Sequence, residues 1–392
     1  MLKSSLMSQS RARILALIGI TGFGLAFWGG FLARGLLGNQ LKLGLLREAY
    51  QLLETHYIEP LPQEPVLQRG MVRGMLETLD DPYTVYTEPQ QHVIQADTLS
   101  GEYGGIGALI TTDGKGNYHL EPFPGSPAAL AGVAAGAHLL AVDGAPLNEE
   151  GSLETVVARL RGPIGTSVRI RIRLPGADRA QEFIIERERI PLPSVTGYIL
   201  PGSRNVGVIA INVFSERTPD EVAQTVGALV DREAESFILD LRNNGGGLLD
   251  SAVGIARIFM REGMIVAEER RGTILETYHV EHPGPYADIP LIAVVDGTTA
   301  SAAEVVAAAL QASQRSILLG SRTYGKGSIQ VLVELSDGSS MRITSSRWLT
   351  PTGIALDSRG LVPDVLLEPD LAGSDAALIQ AAELLREGKV EE

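Results

Sequence analysis

Three short segments hold residue types that can do chemistry at a turn or a helix start. The first is Asp240-Leu241-Arg242-Asn243-Asn244-Gly245-Gly246-Gly247, which follows an apolar run and precedes a helical pattern. Three consecutive glycines let the backbone turn sharply and aim N–H groups at one spot, which suits an anion or an oxyanion. A plain strand-to-helix turn is the other reading. The second is Asp296-Gly297-Thr298-Thr299-Ala300-Ser301-Ala302-Ala303-Glu304, again between a strand-like run and a helical one. Ser301-x-x-Glu304 ahead of Val305-Val306-Ala307 reads as a capping box. The same position sets a hydroxyl beside free N–H donors and the positive end of a helix dipole, which suits a nucleophile whose product is an oxyanion. The third is Tyr324-Gly325-Lys326-Gly327-Ser328-Ile329-Gln330. Its lysine sits between glycines in what reads as a surface turn, without the spacing of a phosphate-binding loop. If burial lowers its pKa, such a lysine can act as a general base.

Composition narrows the chemistry. The chain of 392 residues has no cysteine, which excludes disulfides, thiolate metal sites and a cysteine nucleophile. Six histidines are scattered; His279 and His282 are three apart but lie in a Tyr-, Pro- and Gly-rich stretch, so neither a metal nor another cofactor is expected. Hydrophobic residues make up 44% and charged residues 20%, enough for packed cores in two or three domains. The net charge is −14, yet no acidic residue precedes Glu48, so the body of the chain is strongly acidic. That argues against a nucleic-acid partner, which needs a basic face.

The elements that must position these segments can be read along the chain. Ile14 to Ala33 is an uncharged run of twenty residues flanked by Arg11, Arg13 and Arg34. Its length fits a membrane-crossing helix, and the basic flank predicts a cytoplasmic N-terminus with the remainder exported. A cleaved signal peptide would have a shorter apolar core and a small-x-small site, so an uncleaved anchor is the expectation. Apolar spacing predicts helices over 43–57 and about 66–79, the second ending at Asp80-Asp81-Pro82. From about 99 to 188, short β-like runs (106–111, 138–142, 168–174 and 182–186) alternate with Gly/Pro turns around one helix, 153–160. From Val206 onward strands (206–213, 237–241, 291–295, 317–319) alternate with helices (220–232, 248–261, 302–312), the pattern of a layered α/β domain. Ser374 as N-cap and Gly388 as stop bracket a final amphipathic helix.

The order of these pieces, with Lys326 following Ser301 by 25 residues, resembles the C-terminal processing peptidases, or tail-specific proteases, serine peptidases with a Ser/Lys dyad. Leu79-Asp80-Asp81-Pro82-Tyr83-Thr84 is similar to that family's lead-in to a PDZ domain. Gly104-Gly105-Ile106-Gly107 resembles its carboxylate-binding loop. Gly125-Ser126-Pro127-Ala128 through Gly132-Val133, and Val142-Asp143-Gly144, resemble the PDZ core. Phe214-Ser215, Thr350-Pro351-x-Gly353 and Pro363-Asp364 complete the series.

The resemblance implies a multidomain α+β and α/β chain: a membrane anchor or signal segment (1–37), a helical region (38–92), a PDZ domain (93–190), a crotonase- or Clp-like α/β serine peptidase domain (191–370) and a C-terminal helix (371–392). It implies Ser301 as nucleophile, Lys326 as general base and Gln330 as the residue that orients the lysine. Oxyanion donors would be the N–H groups of Ala302 and of a glycine in Gly245–Gly247, Gly246 foremost. The family's S-A-S-A-S-E run has Thr299 in place of its first serine and Ala303 in place of its third. Gly104, Gly105, Ile106 and Gly107 would bind the apolar C-terminal tails of protein or peptide substrates. The catalytic part would lie outside the cytoplasm, periplasmic or extracellular, tethered by residues 14–33. A homo-oligomer remains open. The alternatives are an inactive membrane-tethered PDZ binding module and a crotonase-type acyl-CoA enzyme; the latter leaves the PDZ-like segment and the Ser/Lys spacing without a purpose.

Overall fold

The computed structural model describes residues 43–147, 152–203 and 205–388. The apolar run Ile14–Ala33 lies outside them. Among the described residues no helix is long and apolar enough to cross a membrane. The chain divides into two compact units, Met1–Met71 and Val72–Glu392. The described part of the first holds the helix Gly44–His56, none of whose residues is buried, and the start of the helix Glu64–Glu77.

The second unit contains the layered domain. Its main sheet runs Val195–Ile199, Val206–Ile211, Ser236–Asp240, Leu291–Val295, Ile317–Gly320 and Val365–Leu366. The first pair is antiparallel and the others are parallel. All five residues of Leu291–Val295 are buried, as expected of a central parallel strand covered on both faces. Strand alternation divides the core in two. Ile209, Leu239, Ala293 and Val295 pack with the helices Thr218–Val230, Leu249–Phe259 and Ala302–Ala312. Val208, Ile238, Ile292 and Val294 pack with the helix Asp375–Arg386.

A separate antiparallel sheet is built on Ser340–Leu349. Val85–Thr87 and Met264–Arg270 pair along one of its edges, and Ser328–Glu334 pairs along the other. Residues 99–147 and 152–188 form the expected β-rich region. Ala108–Thr112, Tyr118–Pro122, Ala137–Val142, Ser167–Arg173 and Gln181–Glu186 make an antiparallel sheet with the helix Leu153–Leu160 packed on it. Ser167–Arg173 shows why it is a strand: Val168, Ile170 and Ile172 are buried, while the arginines between them are exposed. The helix Pro89–Ser100 was not anticipated by the apolar spacing; it contributes no buried residue.

Candidate active site

Three loops leave the carboxyl ends of three neighbouring parallel strands. The glycine loop follows Ser236–Asp240, the serine loop follows Leu291–Val295, and the lysine loop follows Ile317–Gly320. Open α/β sheets place their sites at this end.

Backbone and side-chain bonds stitch the loops together. The Ala300 N–H donates to Asn244 O at 2.9 Å, and the Asn243 N–H donates to Asp296 Oδ2 at 3.1 Å. The Thr299 hydroxyl donates to Leu241 O at 2.9 Å, so the hydroxyl kept at this position is structural. The Tyr324 N–H donates to Thr299 O at 3.0 Å. Ala303 is fully buried in the core.

Ser301 stands at the N-cap of Ala302–Ala312 with φ 56° and ψ −120°. A non-glycine residue held there stores strain of about 1–3 kcal/mol, a cost met mainly where function needs a side chain lifted out of a turn. Glu304, at the third position of the helix, is fully buried. Its Oε2 accepts the backbone N–H of Ser301 and of Lys326, each at 2.9 Å. Its Oε1 accepts the Gly325 N–H at 2.8 Å and the Thr323 hydroxyl at 2.6 Å. The capping-box glutamate thus also holds the lysine loop.

Gly246 approaches the serine so closely that a Cβ on it would lie 2.8 Å from Ser301 Cβ and 3.0 Å from Ala302 N. Its φ of +98° is itself a glycine conformation. The Gly246 N–H donates to Asn244 Oδ1 at 2.8 Å, so this expected oxyanion donor is engaged by a side chain in the structure.

Lys326 Nζ lies 5.0 Å from the centroid of the Tyr83 ring. Burial pushes the lysine below its ordinary pKa, and the nearby Arg342 charge acts in the same direction; Asp81 and Glu304 oppose them. Burial and a hydrogen bond to Tyr324 push the Tyr83 hydroxyl up to about 12. Gln330 Nε2 donates to Ser328 Oγ at 2.7 Å. Among the described residues no hydrogen bond joins Lys326 Nζ to Ser301 or Gln330.

One cavity of about 510 Å³ takes in Ser301, Ala302, Lys326, Gln330 and Gly245–Gly247. Ile94, Gln95, Thr98 and Leu99 of the helix Pro89–Ser100 also line it. A second cavity, of about 710 Å³, runs between the edge strand Ala108–Thr112 and the helix Leu153–Leu160. Gly105, Ile106 and Gly107 lie along it with Ile110, Val157 and Leu160. Gly107 has φ +68°, and a Cβ there would meet Ser126 Cβ at 2.5 Å. Gly104 does not line this cavity; it pairs with Arg189 in a two-stranded ladder. Arg161, on the same cavity, packs over the Tyr103 ring at 4.2 Å and pairs with Asp97 at 2.9 Å. Asp97 belongs to the helix that lines the serine cavity.

Sequence reasoning read Glu304 only as a cap and Tyr83 only as part of the lead-in to the PDZ domain, and it passed over Gln95 and Arg342. The S-x-x-E spacing was a usable sign for Glu304. Gln95 and Arg342 lie in elements without a motif.

Family profiles match in the same order along the chain. The CtpB N-terminal domain profile covers residues 38–90, a PDZ domain covers 122–174, and Peptidase family S41 covers 205–367. The carboxyl-terminal-processing protease of Synechocystis sp. is 37% identical over 305 residues, 76% of this chain and 71% of that protein. This chain belongs to the carboxyl-terminal processing protease family. It is a serine-type peptidase with a PDZ domain. The carboxy-terminal processing protease CtpB of Bacillus subtilis is 32% identical over 330 residues, 83% of this chain and 68% of that protein. A solved photosystem II D1 C-terminal processing protease is similar at 32% identity over 86% of this chain and 93% of that chain, with a TM-score of 0.47.

Proposed function

We propose that this processing protease cleaves peptide bonds through Ser301 and Lys326. Neutral Lys326 takes the Ser301 hydroxyl proton as Oγ bonds to the scissile carbonyl carbon. The proton then passes to the leaving amine, and water hydrolyses the acyl-enzyme. Gln330 orients the lysine. The oxyanion is held by the N–H of Ala302 and, once Asn244 lets go, by that of Gly246. The observation that carries this reading is the single cavity on which all five residues meet. Hydrogen bonds of this kind often tighten only around substrate, which fits a lysine not yet bonded to the serine.

The groove beside Ala108–Thr112 suits an extended peptide added to an open sheet edge, with apolar side chains against Ile110, Val157 and Leu160 and the terminal carboxylate near Ile106 and Gly107. On this reading the substrates are protein tails ending in an apolar residue. The basic-flanked run Ile14–Ala33 tethers the protein, with the catalytic part outside the cytoplasm. Release of full-length protein by alkaline carbonate would count against that tether.

The test of the dyad is fluorophosphonate labelling together with cleavage of an unfolded protein that has an apolar C-terminus. Wild type should label and cleave. Ser301→Ala should do neither, and Lys326→Arg should not cleave. Near wild-type turnover by purified Lys326→Arg would refute the dyad.

A further inference from the structure

The cavity that holds Ser301 and Lys326 contains a second cation. Arg342 lies on Ser340–Leu349, directly across from Leu332 on the edge strand Ser328–Glu334, and both side chains line the cavity. Gln330 pairs with Thr344 two positions along, so Arg342 shares a sheet face with Gln330. Its half-buried guanidinium donates from Nη2 to Gln95 Oε1 at 3.0 Å. Gln95 is neutral. Among the described residues no carboxylate lies within ion-pair distance of Arg342, whereas Arg161, Arg242 and Arg347 pair with Asp97, Asp240 and Asp357. The acids nearest the lysine are already engaged: Asp81 accepts from the Tyr83 N–H and the Thr84 hydroxyl, and Glu304 accepts four donors.

A guanidinium has five N–H donors in a flat fork that matches a carboxylate. Here it is drawn out of water into a substrate cavity without an acidic partner. The chain as a whole carries −14, so a general attraction for acidic peptides does not exist and any selection must be local. We propose that Arg342 is a specificity-determining residue that receives an acidic side chain of the substrate, within a few residues of the scissile bond. This deepens the peptidase reading above and rests on it.

The experiment uses the full-length protein and a set of fluorogenic peptides sharing one apolar C-terminus. Glu replaces Gln at one position at a time on either side of the cleaved bond. Wild type should favour Glu at one position by about tenfold in kcat/KM, the scale of one charge-assisted hydrogen bond. Arg342→Gln should bring that ratio near one, and Arg342→Glu should favour Lys there instead. Both peptides meet the same free enzyme at one pH, so their kcat/KM ratio cancels any change in Lys326 protonation. A wild-type ratio near one at every position overturns the proposal, and that scan decides even if a variant misfolds. A Glu preference that survives Arg342→Gln overturns it too. Failure of the underlying reading looks different: Ser301→Ala would cleave as the wild type does.

Discussion

Ser301 and Lys326 share one acceptor: the backbone N–H of each donates to Glu304 Oε2, at 2.9 Å in both cases. The two groups that must meet are therefore fixed to a common buried anion. Glu304→Gln keeps the shape but turns an amide NH₂ toward N–H donors. It should cost about 2–4 kcal/mol of stability, the scale of a few buried donors left without partners. Turnover should fall by at least about 100-fold, because small misplacements of reacting groups are costly. Urea unfolding and peptide turnover measure the two effects. A Glu304→Gln protein with wild-type turnover would show that this anchor is not needed.

The pH profile follows from the burial of Lys326. Only the neutral amine accepts a proton, so kcat/KM should rise with pH through the lysine's pKa. Burial and the Arg342 charge both disfavour the ammonium, so the midpoint should lie below the ordinary lysine value of about 10.4. Arg342→Gln removes one of these depressing influences and should move the midpoint upward. Thiol reagents should leave turnover unchanged, because the chain has no cysteine. A profile flat from about pH 6 to about pH 10 would dismiss the lysine as base.

Gly246→Ala tests how close the glycine loop comes to the serine. The added methyl would lie 2.8 Å from Ala300 O and from Ser301 Cβ, and φ +98° strains any side chain. One loop or the other must retreat. We expect roughly 2 kcal/mol of lost stability and loss of most turnover, read by thermal unfolding and by fluorophosphonate labelling of Ser301. Labelling at the wild-type rate would mean that the loop adapts without disturbing the nucleophile.

Peptide capture beside Ala108–Thr112 should depend on a free C-terminus. Fluorescence anisotropy with paired free-acid and amidated peptides is the measurement, and the free acid should bind at least about tenfold more tightly, since a charged acceptor at backbone N–H groups is worth more than a neutral one. Gly107→Ala should weaken both, because the new Cβ meets Ser126. Equal affinity for the two peptides would remove carboxylate capture from the scheme.

The layered domain was legible because its elements are strongly patterned. Leu291–Val295 and Ala302–Ala312 fall at the expected bounds, the first an unbroken apolar run and the second apolar over its first nine residues except at Glu304. Pro89–Ser100 escaped because Val93, Ile94 and Leu99 do not build an apolar stripe. The hairpin Met264–Arg270 with Thr273–His279 escaped because its second strand is almost wholly exposed, so alternation carries little signal there. Ser301, Lys326 and the glycine loop were visible as motifs within a few residues of strand ends. Gln95 reaches the same cavity from a helix far away in sequence, and Arg342 from the strand paired with Ser328–Glu334, so only the packed fold brings the two together there.

Neighbouring strands in a sheet stand about 4.8 Å apart, a distance set by backbone hydrogen bonds whatever the side chains are. The glycine, serine and lysine loops hang from three adjacent strands in that lattice. The backbone is thus a ruler, and the width of the site is a dimension of the fold, established before any particular residue is chosen for the loops. Other sequences grafted between the same strand ends would find their reactive groups already spaced for two-handed work on one peptide bond.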